Sequence, residues 1–185
     1  MDRRVERTKR NIYLAFFDLM KKKAMDDITI TELAAAADID RRTFYKHYDT
    51  VIDVYNEYKQ QIEDQLLHDL LECERPDGTF DFPEFFRRLE IIMENQRPFF
   101  EKLSSDQASM FLRFDCKLIL ENALRDFYKG RFPGTDDEAR IYISALAYAI
   151  TGLGSDFLTT RHSLSFEDYF NLATPLLEKV WHPRT

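Results

Sequence analysis

Residues 29–48 read Thr29-Ile-Thr-Glu-Leu-Ala-Ala-Ala-Ala-Asp-Ile-Asp-Arg-Arg-Thr-Phe-Tyr-Lys-His-Tyr48, and they contain two helix starts. Thr29 and Glu32 are spaced as a capping box, in which the hydroxyl and the carboxylate each satisfy an amide that the first helical turn leaves without a partner. Asp40 is a second N-cap, opening a short helix from Arg41 to His47. Two short helices joined by a turn of about three residues meet the requirements of a helix-turn-helix, with Ile30, Leu33, Ala34, Ile39 and Phe44 turned inward. Ala34 is small where the two helices cross closely.

The outward side of the second helix carries Arg41, Arg42, Thr43, Tyr45, Lys46 and His47, a set of donors and aromatics at the end that enters a major groove. Arginine pairs bidentately with guanine, whereas lysine, threonine, tyrosine and histidine more often hold phosphates. The alternative reading of these residues is a solvated polar face on a structural helix.

Outward from this stretch, the pattern is helical throughout. Residues 5–23 place Ile12, Ala15, Phe16, Leu19 and Met20 on one face, with Lys21, Lys22 and Lys23 at the negative end of the helix dipole. A fourth helix over about 51–74, capped by Asp49 or Thr50, repeats Val51, Tyr55, Tyr58, Ile62, Leu66 and Leu70 and stops before Pro76-Asp-Gly78, the expected domain hinge. Pro83 opens a helix to about Asn95, Arg97-Pro98 starts a short one, and Ser104-x-x-Gln107 caps another running to about Lys129. Thr135-x-x-Glu138 caps a helix over about 136–160. This helix has a bulky stripe of Ile143, Leu146, Ile150, Leu153 and Phe157 and a small stripe of Ala145, Ala149 and Gly152. The last helix, about 166–182, shows Phe166, Tyr169, Phe170, Ala173, Leu176, Leu177, Val180 and Trp181 on one broad face, with Pro175 removing an internal hydrogen bond or kinking it. No period-two strand occurs, and the expected class is all-α.

Composition agrees. A chain with only 5 Gly and 6 Pro in 185 residues has few turn formers for a strand-rich fold, and 44% hydrophobic residues suffice for real cores. Cys73 and Cys116 stand apart with no CxxC or Cys/His cluster, which excludes a disulfide framework and the common zinc modules and points to a reducing cytoplasm. No uninterrupted apolar run reaches the roughly 18 to 20 residues of a membrane span, and the basic start lacks the apolar region of a signal peptide. The net charge of −7 is unevenly spread: residues 1–50 hold 11 Lys/Arg against 9 Asp/Glu, and the remainder 15 against 24. His47, His68, His162 and His182 are scattered, and no HExxH, GxSxG, phosphate loop or dinucleotide fingerprint is present, so neither an enzyme nor a cofactor or metal is expected.

The run Thr29-Ile-Thr-Glu-Leu-Ala34, Asp38-Ile-Asp40 and Thr43-Phe-Tyr-Lys-His-Tyr48 resembles the DNA-binding domain of TetR-type transcriptional regulators over about residues 8–60. The resemblance implies a three-helix DNA-binding head at 1–50, a connecting helix at 51–78 and a helical ligand-binding and dimerisation domain at 79–185. It further implies a homodimer on double-stranded DNA, usually a repressor under small-molecule control. By position it implies base-edge roles for Arg41, Arg42 and Thr43 and phosphate roles for Thr29, Tyr45 and His47. Lys46 is read as a phosphate contact, and Thr50 as presenting the start of the fourth helix to phosphate. Two departures stand out: Asp38 replaces the usual turn glycine, and Val51 the usual lysine at the start of the fourth helix. Aspartate tolerates a left-handed backbone, so the turn is expected to survive.

Arg3, Arg4, Arg7, Lys9 and Arg10 form either an arm reaching DNA or a solvated tail. The C-terminal half resembles, in outline, members with a compact dihydroxyacetone-kinase-regulator-like C-terminal half. In the family pattern the last two helices form the dimer interface, expected here around Ala145, Ala149, Gly152, Phe170, Leu177 and Trp181. Phe85, Phe86, Phe99, Phe100, Phe111 and Phe114 are candidate walls of a ligand pocket, with plain core packing the stronger reading. Cys116 is read as core. A partner-binding regulator or coactivator without its own operator is the competing function, supported by Val51 and the acidic balance.

Overall fold

The computed structural model describes residues 3–95, 109–160 and 163–181, with the side chains of 109–114, 180 and 181 outside that description. Eight α-helices account for most of it: α1 Arg3–Met20, α2 Ile30–Ala36, α3 Arg41–Tyr45, α4 Val51–Cys73, α5 Phe82–Asn95, α6 Ser109–Tyr128, α7 Asp136–Thr159 and α8 Phe166–Trp181. Among the described residues the one β-type pairing is an isolated antiparallel bridge between Glu74 and Phe80. The all-α class holds. The expected short helix at Arg97-Pro98 and the Ser104 cap lie outside the described residues.

Local signals in the sequence place most helix starts. Thr29 accepts from the Glu32 amide, and the Glu32 carboxylate accepts from the Thr29 amide at 3.0 Å, completing the capping box. Thr135 and Glu138 repeat the arrangement at α7. Thr50 and Asp53 do the same at α4, with the Thr50 amide donating to Asp53 at 2.7 Å. Two caps not expected from the sequence are Asp81, which accepts from the Glu84 amide at 3.1 Å, and Ser165, which accepts from the Asp168 amide at 3.1 Å.

The chain divides into two compact units inside α4, at Gln61 and Ile62. In the first, Ile12, Phe16 and Phe17 of α1, Leu33 and Ala34 of α2, Phe44 of α3, and Val54, Tyr55 and Tyr58 of α4 are all buried. Ile28 and Ala37 complete this core, whereas Ile30 and Ile39, expected inside, are only half-buried. Phe44 is fully enclosed, and emptying such a site costs about 3 to 5 kcal/mol. It anchors α3 by its inner face and leaves the outer face free.

In the second unit, α6 packs along α7, α5 against α8, and α7 against α8. Phe80, Phe82, Phe85, Phe86, Phe127 and Phe170 are buried in its core, with Phe86 and Phe170 ring centres 4.5 Å apart. The Pro76–Gly78 segment, expected as the hinge, is a closed turn within this unit. Gly78 adopts φ 82°, its amide donates to Arg75 O at 2.9 Å, and the Arg75 amide donates to Thr79 O at 2.9 Å. Pro175 sits inside α8 at an exposed position, where water can serve the carbonyl it leaves unpaired.

Candidate nucleic-acid interface

The turn between α2 and α3 is set by hydrogen bonds that only a left-handed residue permits. The Ile39 amide donates to Ala34 O at 3.0 Å and the Asp38 amide to Ala35 O at 3.2 Å, while Asp38 itself has φ 55°. This is the Schellman arrangement, with Asp38 at the position glycine usually holds. Asp40 then accepts from the Thr43 amide at 2.7 Å and starts α3 two residues later. That bond holds the Asp40 carboxyl below its ordinary range.

The result is a short helix whose buried side is Phe44 and whose outer side presents Arg41, Arg42, Tyr45 and Lys46, all exposed, with Thr43 and His47 half-buried. Arg41 Nη2 lies 3.5 Å from the Tyr45 hydroxyl, and its guanidinium stands 6.0 Å from the Tyr45 ring centre. Four cationic or aromatic groups thus share one solvent-facing surface on a helix clamped at both ends.

Thr29 and Thr50 are exposed as expected, but their donors are already engaged. The Thr29 hydroxyl donates to Glu32 at 2.7 Å and that of Thr50 to Asp53 at 2.7 Å. Lys23 closes on the Glu32 carboxylate at 2.7 Å, and with the Thr29 bonds it brings that carboxyl down to about 2. A phosphate approaching either helix start therefore meets the remaining first-turn amides rather than the threonine hydroxyls.

A polar cluster that the sequence reading missed sits behind α3. Tyr48 is buried, and its hydroxyl donates to that of Tyr13 at 3.1 Å; Gln61 donates to the same Tyr13 oxygen at 2.9 Å. Lys9 pairs with Glu57 at 2.5 Å and lies 5.6 Å from the Tyr48 ring centre. Burial by itself would raise the Glu57 carboxyl, but bonds from Lys9 and Tyr48 outweigh it and hold the group below its ordinary range. Burial pushes the Tyr48 phenol up. These partners are up to 48 residues apart in the chain, so no local pattern announces them. Residues 3–10 are the opening turns of α1 rather than an arm or a tail, and Lys9 faces inward.

In the second unit the aromatic candidates separate. Phe85 and Phe86 are core residues, each 1% exposed. Phe99 and Phe100 lie outside the described residues, as do the side chains of Phe111, Phe114 and Trp181. Burial raises the Cys73 thiol to about 11 and that of Cys116 to about 12, which leaves both protonated and unreactive at neutral pH.

On α7, Ala145, Ala149 and Gly152 are exposed, and a Cβ built on Gly152 meets nothing within 4 Å. Phe170 and Leu177, expected at an interface, instead point into the core of the chain at 0% and 3% exposure. Among the described side chains of α8, the open apolar positions are Leu172 and Leu176, at 71% and 66%.

No protein-family model matches the sequence, and no curated protein sequence matches it. Solved structures do match. A TetR transcriptional regulator from Streptococcus agalactiae 2603V aligns over 95% of this chain and 96% of its own, with 22% identity and a TM-score of 0.59. The dihydroxyacetone kinase operon activator DhaS aligns over 92% of this chain and 93% of its own, with 19% identity and a TM-score of 0.56. The chain has the TetR-type fold. Within that fold the quoted stretch at 29–48 forms the helix-turn-helix, and the departures at Asp38 and Val51 are absorbed without disturbing it: Asp38 takes the left-handed turn, and Val51 opens α4 half-buried.

Proposed function

We propose that the protein is a sequence-specific DNA-binding transcriptional regulator that works as a homodimer on a palindromic operator. The observation that carries this reading is α3, held by the Asp38 turn and the Asp40 cap with Arg41, Arg42, Tyr45 and Lys46 facing solvent. Arg41, Arg42 and Thr43 read base edges, while Tyr45, Lys46 and His47 hold phosphates together with the first turns of α2 and α4 at Thr29 and Thr50.

The dimer forms through α7 and α8. Helix α7 is 24 residues long and apolar enough to cross a membrane by length and composition, yet little of it is buried. Ile143, Leu146 and Ile150 are packed inside, which marks it as a core helix with a second apolar face left open. That face, Ile141, Ala145, Tyr148, Ala149 and Gly152, together with Leu172 and Leu176, calls for a partner of like chemistry, and a second copy supplies one by two-fold symmetry.

Regulation is repression by operator occupancy, released by a small molecule bound in the second unit, in a protein acting in the cytoplasm. A second reading, an activator or partner-binding regulator, is favoured by Val51 in place of a phosphate-clamping lysine and by the similarity to an operon activator, DhaS.

Selection of bound duplexes from a random library by purified protein tests the first reading. A palindrome with half-sites about one helical turn or more apart is expected. A folded dimer that enriches no sequence overturns it.

A further inference from the structure

Residues 3–10 carry five cations and a single acid, Glu6, in a chain that is acidic as a whole. Folding into α1 sorts these charges. Arg3, Arg7 and Arg10 recur at i, i+4 and i+7 and so share one face; all three are exposed, and none forms an ion pair among the described residues. Ile12, Ala15 and Phe16 occupy the opposite, buried side of the same helix. Lys9 leaves the set because it turns inward to Glu57.

Lys9, on the inward side of the same helix, fixes how α1 lies in this unit. Its ammonium lies 5.6 Å from the centre of the Tyr48 ring, and Tyr48 stands between the end of α3 and the cap of α4 at Thr50. The first half of α1 therefore runs beside the corner where the recognition helix ends and α4 begins. At that corner Val51 stands where the family resemblance implies a lysine.

We propose that Arg3, Arg7 and Arg10 form a second phosphate-binding surface that grips the DNA backbone flanking the base-read segment. The proposal rests on the DNA-binding reading above and assigns it an additional contact surface. From Arg3 to Arg10 the helix rises about 10 Å, roughly three base steps along one strand, so the three guanidinium groups are spaced to meet phosphates within a four-phosphate stretch of a single strand. Being planar donors, they grip phosphate oxygens in pairs. Glu6 is exposed four residues before Arg10 and is the one opposing charge of this stretch.

The test compares wild type with an Arg3→Gln, Arg7→Gln, Arg10→Gln triple variant, by anisotropy across about 50 to 200 mM salt, on a wild-type-selected duplex and on one with scrambled half-sites. All three changes lie on the solvent face, and an unchanged thermal melt confirms that the variant folds. The expected result is a loss of affinity by the same factor on both duplexes, with a slope of log K against log salt shallower by about 2 to 3. Glu6→Gln is expected to strengthen both.

An unchanged slope and affinity in the triple variant, on a duplex that wild type binds, overturns the ridge while leaving the recognition-helix reading intact. If wild type binds all duplexes alike and the triple variant loses that binding, the ridge stands and sequence-specific reading falls. Absence of binding to any duplex overturns both.

Discussion

Asp38 is where a single backbone angle holds the helix-turn-helix geometry, and substituting it separates the terms involved. A non-glycine residue in the left-handed region bears a strain of about 1 to 2 kcal/mol, which aspartate reduces through local polar contacts. Glycine removes the strain but adds about 0.5 to 1 kcal/mol of chain entropy to the unfolded state. Asp38→Gly is therefore expected to stabilise the protein by at most about 1 kcal/mol. Asp38→Val has the opposite sign. A β-branched residue resists φ 55°, so the turn opens and the bonds from Ile39 to Ala34 and from Asp38 to Ala35 are lost, costing about 2 kcal/mol at about 1 kcal/mol each. Urea unfolding with an unchanged slope reads both effects as midpoint shifts. The same turn sets the angle of α3 on α2, so operator affinity should fall for valine and hold for glycine. If valine is tolerated as well as glycine, residue 38 is not left-handed and the account of the turn is wrong.

Other substitutions probe the remaining surfaces. Arg42→Ala is expected to weaken binding to the selected site by about 1 to 3 kcal/mol and to relax preference at one base pair; an unchanged sequence profile would remove Arg42 from the groove. Lys46→Ala should weaken all sequences alike and lower the salt slope by about one, which titration at several salt concentrations would detect. Leu172→Glu with Leu176→Glu removes four leucine side chains from a two-fold interface, at about 1.5 to 3 kcal/mol each, and should yield a folded monomer by sedimentation; a mass still twice that of the chain would place the interface elsewhere. The Glu32 carboxyl sits at about 2 when folded, against an ordinary value of 4.5. Its contribution is therefore present above about pH 4.5 and is lost as pH falls from there toward 2. Glu32→Gln should flatten stability across that window relative to wild type, as read by unfolding at a series of pH values.

How much of this was legible in the sequence depended on the range of the interaction. The capping boxes at Thr29–Glu32 and Thr135–Glu138, and the cap at Asp40, join residues three apart, so the pattern and the bond are one fact. The left-handed turn at Asp38 was legible only through the resemblance, which implies a glycine at that position; in the structure Asp38 and Ile39 answer carbonyls three and five residues back. Lys9 and Glu57 are joined by tertiary packing of α1 on α4, and each looked in sequence like an ordinary surface charge. The basic start was read both as the opening of a helix from residue 5 and as an arm or tail, because its cations outweigh its apolar residues until Ile12. What keeps it helical is continuity with the buried face further along the same helix, at Ile12, Ala15 and Phe16.

The misassignment on α8 has a different origin. Phe166, Phe170, Ala173 and Leu177 follow at spacings of four, three and four and are all buried, while Leu172 and Leu176, four apart, form a separate exposed row. A helix with two apolar rows reads in sequence as one broad face, and only the positions of α5 and α7 decide which row is taken. α7 is divided the same way, with Ile143, Leu146 and Ile150 inside and Ile141, Ala145, Tyr148 and Ala149 outside. Each helix thus has one apolar row filled within the chain and one left open. An open row of leucines on a charged chain is costly in water unless something covers it. Whatever changes the angle between α7 and α8 inside one chain must also shift the two open rows relative to each other. If a second copy covers them, packing inside each protomer and the fit of the shared interface become coupled quantities.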